Sequence, residues 1–211
     1  MFLLGTDYKF PPIELANPEG ILAIGGDLNP HRMLEAYKMG IFPWYNEGEP
    51  IVWYSPKFRM VLKPDEVYIS KSMKKILKDG IFQLTFNQNF EQVITLCQKT
   101  KRANQPGSWI TNALKKSMIE LHEMNYAKSI EIWEKGKLVG GLYGLDFGHI
   151  FCGESMFSLV PNASKFAFIS LCQKLQDEGY QLLDCQVYND HLASLGAYEI
   201  PRKEFKSYLK F

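Results

Sequence analysis

From Ser129 to Glu134 the chain alternates apolar and polar residues, the period of a half-buried strand. A Lys-Gly-Lys turn follows, then an apolar segment from Leu138 to Phe147, a Gly-His break, and a third run from Ile150 to Phe157. This pattern predicts an antiparallel meander. Asn162–Asp177 then reads as a helix and Gln181–Val187 as a buried strand. Upstream, helices are predicted over Ser70–Lys78, Asn89–Lys101 and Thr111–Glu123, the last opened by a threonine cap. The first 57 residues have another texture. PP at 11–12, NPEG at 17–20, GG at 25–26, NP at 29–30, then FPW and SP break regular structure into short pieces. One helix fits there, His31–Met39, with Asn29 as cap, Pro30 at the first helical position and Gly40 closing it. The expected organisation is a small loop-rich N-terminal domain, 1–57, and a larger α+β domain, 58–211.

Composition changes this picture little. Among 211 residues 46% are apolar and 22% charged, which excludes a disordered or fibrous chain. The opening MFLLGTDYKFPP lacks the basic region of a secretory signal, and no apolar run has membrane-helix length. Four cysteines without a Cys-x-x-Cys pair suit reduced thiols, so a cytoplasmic protein with no membrane partner is expected. The net charge of +1 conceals a gradient: −4 over residues 1–56, +6 over 57–102 and −1 over 103–211. A basic middle points to a local anionic partner.

That charge concentrates on the helix at 71–78. Lys71, Lys74, Lys75 and Lys78 fall within roughly a 100° arc, opposite Met73, Ile76 and Leu77. They form either a solvated face or a track for RNA phosphates, continued by Lys99, Lys101 and Arg102. Asp184 and Gln186 share one face of a buried strand, with Leu183, Cys185 and Val187 on the other. An Asp there needs a partner or a task, and capping the Asn189–His191 loop would serve as the first. Glu154 sits in the apolar strand Phe151–Phe157, where it either holds a cationic group or pairs with Lys165. The four histidines show no zinc spacing, so no metal is expected, and covalent catalysis has no candidate. Trp44, Trp53 and Trp109 serve as packing or, near their Gly/Pro turns, as stacking platforms for a base.

The order of two hairpins, helix and strand resembles the core of the N-acetyltransferase superfamily. A more specific resemblance runs from about residue 10 to 205. Its motifs begin with Gly20-Ile-Leu-Ala-Ile-Gly-Gly-Asp27, Gly40-Ile-Phe-Pro-Trp44, Trp53-Tyr-Ser-Pro56 and Ile69-Ser-Lys-Ser-Met-Lys74. Gly107-Ser-Trp-Ile-Thr111, Ser129-Ile-Glu-Ile-Trp133 and Gly140-Gly-Leu-Tyr-Gly144 continue it. Phe151-Cys-Gly-Glu-Ser-Met-Phe-Ser158, Asn162-Ala-Ser-Lys165, Asp184-Cys-Gln186 and Asn189-Asp-His-Leu-Ala-Ser-Leu-Gly-Ala197 complete it. Together they resemble the leucyl/phenylalanyl-tRNA–protein transferases.

The resemblance implies a bacterial cytoplasmic enzyme that moves Leu or Phe, less well Met, from aminoacyl-tRNA to an N-terminal Arg or Lys. The product would carry an N-end rule degradation signal. It implies a small N-terminal domain, an acetyltransferase-like C-terminal domain and no cofactor; a monomer is the default expectation. The residue matching Asp184 would orient Gln186 toward the attacking amine, and Asn189 would donate to the developing oxyanion. Glu154 and Asp184 together would form an anionic pocket for the acceptor side chain. Phe151 and Met156, supported by Leu142, Leu171 and Leu183, would line the apolar donor pocket. Trp44 and Trp109 would stack on the terminal adenosine, and Lys71, Lys74, Lys75 and Lys78 would hold the tRNA. Leu142 stands where a Met is common, and Gln105-Pro stands where an acidic residue is common. The chain also ends soon after Pro201-Arg-Lys-Glu-Phe, which puts one edge of the fold in question.

Two other functions compete. An acetyl-CoA-dependent N-acetyltransferase needs a Gly-rich turn opening the helix after the meander, but Val160–Phe166 contains no glycine. A non-catalytic tRNA-binding module would explain the lysines and leave Asp184, Gln186 and Glu154 without work.

Overall fold

The structure is a computed structural model that describes residues 1–100 and 108–210. Lys101, Arg102, Gln105, Pro106 and Gly107 therefore lie outside the described residues. The first four strands, β1 (Phe2–Leu4), β2 (Ile21–Gly25), β3 (Phe42–Pro43) and β4 (Val52–Tyr54), form a sheet in the order β1-β2-β4-β3. Helix α1 (Pro30–Lys38) is inserted between β2 and β3. It starts as expected: Asn29 accepts from the His31 amide, Pro30 occupies the first turn, and Gly40 takes a φ of 76° beyond the end.

The remaining strands are β5 (Phe58–Leu62), β6 (Gln83–Phe86), β7 (Ala127–Glu134), β8 (Lys137–Asp146), β9 (Ile150–Ser158), β10 (Leu182–Gln186) and β11 (Tyr198–Pro201). They make one sheet in the order β11-β5-β10-β9-β8-β7-β6. The predicted meander is β7-β8-β9, antiparallel throughout. Its first turn places Lys135 and Gly136 at positive φ, as a tight two-residue hairpin requires. Helix α5 (Ala163–Asp177) then returns the chain so that β10 runs parallel to β9, with Leu183 beside Phe151 and Asp184 beside Cys152. Meander, crossover helix and parallel strand are the α+β order that the sequence pattern suggested.

Both faces of this sheet are covered. Helix α5 and helix α2 (Lys71–Lys78) bury one face around Phe151, Leu171, Leu183 and Met73. Helices α3 (Phe90–Lys99) and α4 (Asn112–Glu123) bury the other, in a cluster that continues through Val61 into Trp53, Tyr37 and Phe42. Gly140 allows α5 to sit down on β8, because a Cβ there would lie 2.5 Å from that of Ala163. The short helices α6 (Asp190–Ala193) and α7 (Arg202–Tyr208) complete the chain. Strand β11 supplies the edge beside β5, and α7 buries Phe205 beneath it. Among the described residues no helix is long and apolar enough to cross a membrane.

Candidate active site

β10 ends in a bulge. Its ladder with β5 slips between Asp184 and Gln186, and Gln186 adopts a φ of 64°, unusual for a residue with a side chain. Asp184 holds this turn, its Oδ1 accepting the Gln186 backbone N–H at 2.9 Å. The same carboxylate is gripped bidentately by Arg59 on β5, with both N–O distances 2.7 Å. Arg59 also donates to the Gly40 carbonyl, and its guanidinium lies between the rings of Phe42 and Phe205, 4.6 and 4.7 Å from their centres. Asp184 is fully buried and its oxygens are occupied. It orients Gln186 through the backbone, and it neither caps the Asn189–His191 loop nor adds to an anionic pocket.

The Gln186 side chain turns toward β9, where its Nε2 donates to Glu154 Oε1 at 2.7 Å. The Tyr37 hydroxyl donates to the same oxygen at 2.7 Å. Glu154 thus has two neutral donors and no ion pair with Lys165, so the structural pairing that the sequence offered is not made. Burial is the main reason its carboxyl is pushed up to about 8; the bonds from Tyr37 and Gln186 oppose the rise without cancelling it. Among the described residues Glu154 Oε2 and the Gln186 carbonyl oxygen accept no hydrogen bond.

A cavity of about 310 Å³ opens in front of this pair. Glu154, Ser155 and Met156 on β9 form one wall, and Gln186, Asn189 and His191 another. Trp44 and Trp109 stand at the same cavity, with Trp44 backed by Tyr54 at 5.6 Å. Asn189 uses its side-chain oxygen to cap α6, accepting from the His191 and Leu192 amides. Its backbone N–H is taken by Met60 Sδ, but its side-chain Nδ2 has no partner among the described residues and so remains available as a donor. Trp53 is elsewhere; it is fully buried, bonded to the Gly25 carbonyl and packed edge-on against Phe10. Cys185 also borders the cavity, but burial and Asp184 raise its thiol well above the ordinary range, which removes the thiolate a nucleophile needs.

The expected donor-pocket residues do not all meet here. Met156 lines the cavity, and Leu142 is its cross-strand partner one strand further in. Leu142 and Leu183 are buried under α5, while Phe151 and Leu171 border a second cavity between β7 and α5. Lys71, Lys74, Lys75 and Lys78 are exposed on α2, with Met73 buried beneath them. The loop before α2 is tied to the end of α6 by the Tyr68 amide on the Leu195 carbonyl. Three residues of the site escaped the sequence reading: Tyr37, Arg59 and His191. An arginine inside the apolar run Phe58-Arg-Met-Val-Leu62 was the available signal for one of them.

The family model described as leucyl/phenylalanyl-tRNA protein transferase matches residues 61–210, and the model of that family's N-terminal domain matches residues 26–57. A protein of Flavobacterium johnsoniae named leucyl/phenylalanyl-tRNA–protein transferase is 59% identical, covering 100% of this chain and 99% of its own. Like-named proteins of Flavobacterium psychrophilum and Myxococcus xanthus are 54% and 46% identical, covering 100% and 99% of this chain and 100% and 90% of theirs. Among solved structures, a GCN5-related N-acetyltransferase from Kribbella flavida aligns at a TM-score of 0.41 and 11% identity, covering 82% of this chain and 59% of that one. That likeness is too slight to bear on the function.

Proposed function

The chain belongs to the leucyl/phenylalanyl-tRNA–protein transferase family, and on that premise we propose that the cavity before Glu154 and Gln186 is where donor ester and acceptor amine meet. The enzyme transfers Leu or Phe from aminoacyl-tRNA to an N-terminal Arg or Lys, forming a peptide bond. An aminoacyl ester is already activated, and a free α-amine has a reference pKa near 7.7–8.0. The chemistry therefore asks chiefly for position. Glu154 receives the cationic acceptor side chain through its unbonded oxygen. Gln186, its amide held by Glu154, presents its carbonyl to the amine. Asn189 donates to the oxygen that becomes negative as the ester carbonyl is attacked. Met156 contributes the apolar wall for the donor side chain, with Leu142 behind it. The enzyme works in the cytoplasm as a monomer, accepts Met less well than Leu or Phe, and its products carry an N-end rule signal.

The observation that supports this most directly is the Glu154–Gln186 pair set in a wall that two tryptophans complete. Incubation with labelled Phe-tRNA and an Arg-starting peptide tests it: label passes to the peptide, whereas label retained by the RNA would make the protein a binder only. Acetyl-CoA is not the donor. The helix that would cradle its pyrophosphate opens without glycine, and its Ser164 amide is already bonded to Ser158 Oγ.

Trp44 and Trp109 sandwich or flank the terminal adenosine. Trp44→Ala is expected to weaken donor binding by roughly 1–3 kcal/mol, read as a raised KM for aminoacyl-tRNA with kcat little changed. An unaltered KM would remove Trp44 from the donor site. The exposed lysines of α2 hold the tRNA backbone. Changing all four to Ala should reduce the slope of log K against log salt by up to about 3–4, since each phosphate contact contributes roughly 0.9. An unchanged slope would place the tRNA on another surface.

A further inference from the structure

We propose that the imidazole of His191 carries the proton released by the attacking amine to the ribose oxygen that leaves. This extends the functional reading above and rests on it. When the amine adds to the ester carbonyl, a C–N bond forms and the C–O bond to ribose breaks. The nitrogen must shed a proton and the departing oxygen must gain one. A neutral imidazole that accepts the first and returns it to the second begins and ends the cycle unchanged, with no further reactant. Glu154 and Gln186 fix the amine and Asn189 meets the oxyanion, roles that leave the proton of the departing oxygen without a carrier.

The other histidine side chains have structural employment. His122 bonds the Ala127 carbonyl and stacks on Phe90, and His149 bridges the carbonyls of Phe147 and Tyr208. His31 stacks on Tyr8, away from the cavity. His191 differs. Its ring nitrogens make no hydrogen bond among the described residues, it is half-buried, and it lines the cavity shared by Glu154, Gln186, Asn189 and both tryptophans. Its backbone is fixed by the Asn189 side chain, so ring and proposed oxyanion donor are set by one turn of chain.

The charged and titratable groups around it are Lys165 on α5, Asp190 beside it on α6, and Cys185 and Glu154 on the strands. The Tyr188 hydroxyl is bonded to Asp190. Burial and then Lys165 hold the imidazole below the ordinary histidine range, so at pH 7 it is neutral and able to accept.

His191→Ala and His191→Gln are compared with the unaltered enzyme in transfer of labelled Phe from tRNA to an Arg-starting peptide. Expected is a fall in kcat of about 10²-fold in both variants, with KM for either substrate within about twofold. Free imidazole should restore part of kcat in His191→Ala alone. A kcat within about twofold of the unaltered enzyme would overturn the proposal. So would a fall that imidazole leaves untouched, which would assign the ring to holding α6. If the unaltered enzyme itself moved no label, the functional reading would fail rather than this inference.

Discussion

Arg59→Met should lower stability by about 3–5 kcal/mol, because it strands Asp184 as a buried carboxylate without its counter-charge. For a chain of this size that corresponds to a fall in Tm on the order of 10 °C. The effect reaches beyond one bond. Arg59 touches the Gly40 carbonyl after α1, Phe42 on β3 and Phe205 on α7, so its loss loosens three segments that meet behind β10. Transfer should fall as well, since the Gln186 turn depends on Asp184. The double variant Arg59→Met/Asp184→Leu separates the two roles. Removing both charges should recover much of the Tm, as apolar replacements of buried pairs often do. It should not recover kcat, because the Gln186 amide has lost its acceptor and its left-handed backbone its restraint. A double variant that melts as low as the single one would mean that the ion pair is not what holds this junction.

Glu154→Gln should have opposite effects on folding and on catalysis. Burial raises the carboxyl from 4.5 to about 8 in the folded protein, so the folded state retains a proton that the unfolded chain releases. Stability contributed at this site therefore falls as pH climbs from about 4.5 to about 8, and the full cost applies above that. Glutamine keeps an acceptor for Tyr37 and Gln186 but cannot ionise. The variant should match the parent only below about pH 4.5 and exceed it by a few kcal/mol, to an order of magnitude, at pH 9. Thermal melts across this range test the point, and parallel curves would mean that Glu154 ionises without penalty. Catalysis should move the other way. Loss of the anion should lower kcat/KM for Arg-starting peptides by more than about tenfold, since an incoming cation is what makes ionisation favourable there. Unchanged kinetics would rule out Glu154 as the acceptor site.

Much of this fold was legible in local chemistry. The caps at Asn29, Ser70 and Thr111 each accept a backbone N–H within their own helix start, so their signal needs no distant partner. The meander announced itself through alternation and a turn that only certain residues make. β5 and β11 did not. Arg59–Leu62 is buried on both faces and so lacks alternation, and β11 is a strand only because β5 lies beside it.

The site divides in the same way. Glu154, Gln186, Asn189, Met156, Trp44 and Trp109 stood in motifs and do meet at one cavity. Leu142, Leu171 and Leu183 are apolar residues on apolar elements, and nothing in their identity says whether a side chain faces a cavity or a helix. Tyr37 lies 117 positions from Glu154, and Arg59 lies 125 from Asp184. Pairings at that distance exist only once the sheet has assembled. A lone histidine such as His191 carries no spacing signal, because a single proton carrier needs no second ligand at a fixed interval.

Phe205 carries a consequence of its own. The ring that closes over Arg59 belongs to α7, and Leu209, just past that helix, packs over Gly40. Cleavage of the chain ahead of Phe205, or a bulky group wedged against α7, would loosen the strand of Asp184 and Gln186 from behind. The enzyme would then be disarmed while every residue facing its substrates was still present.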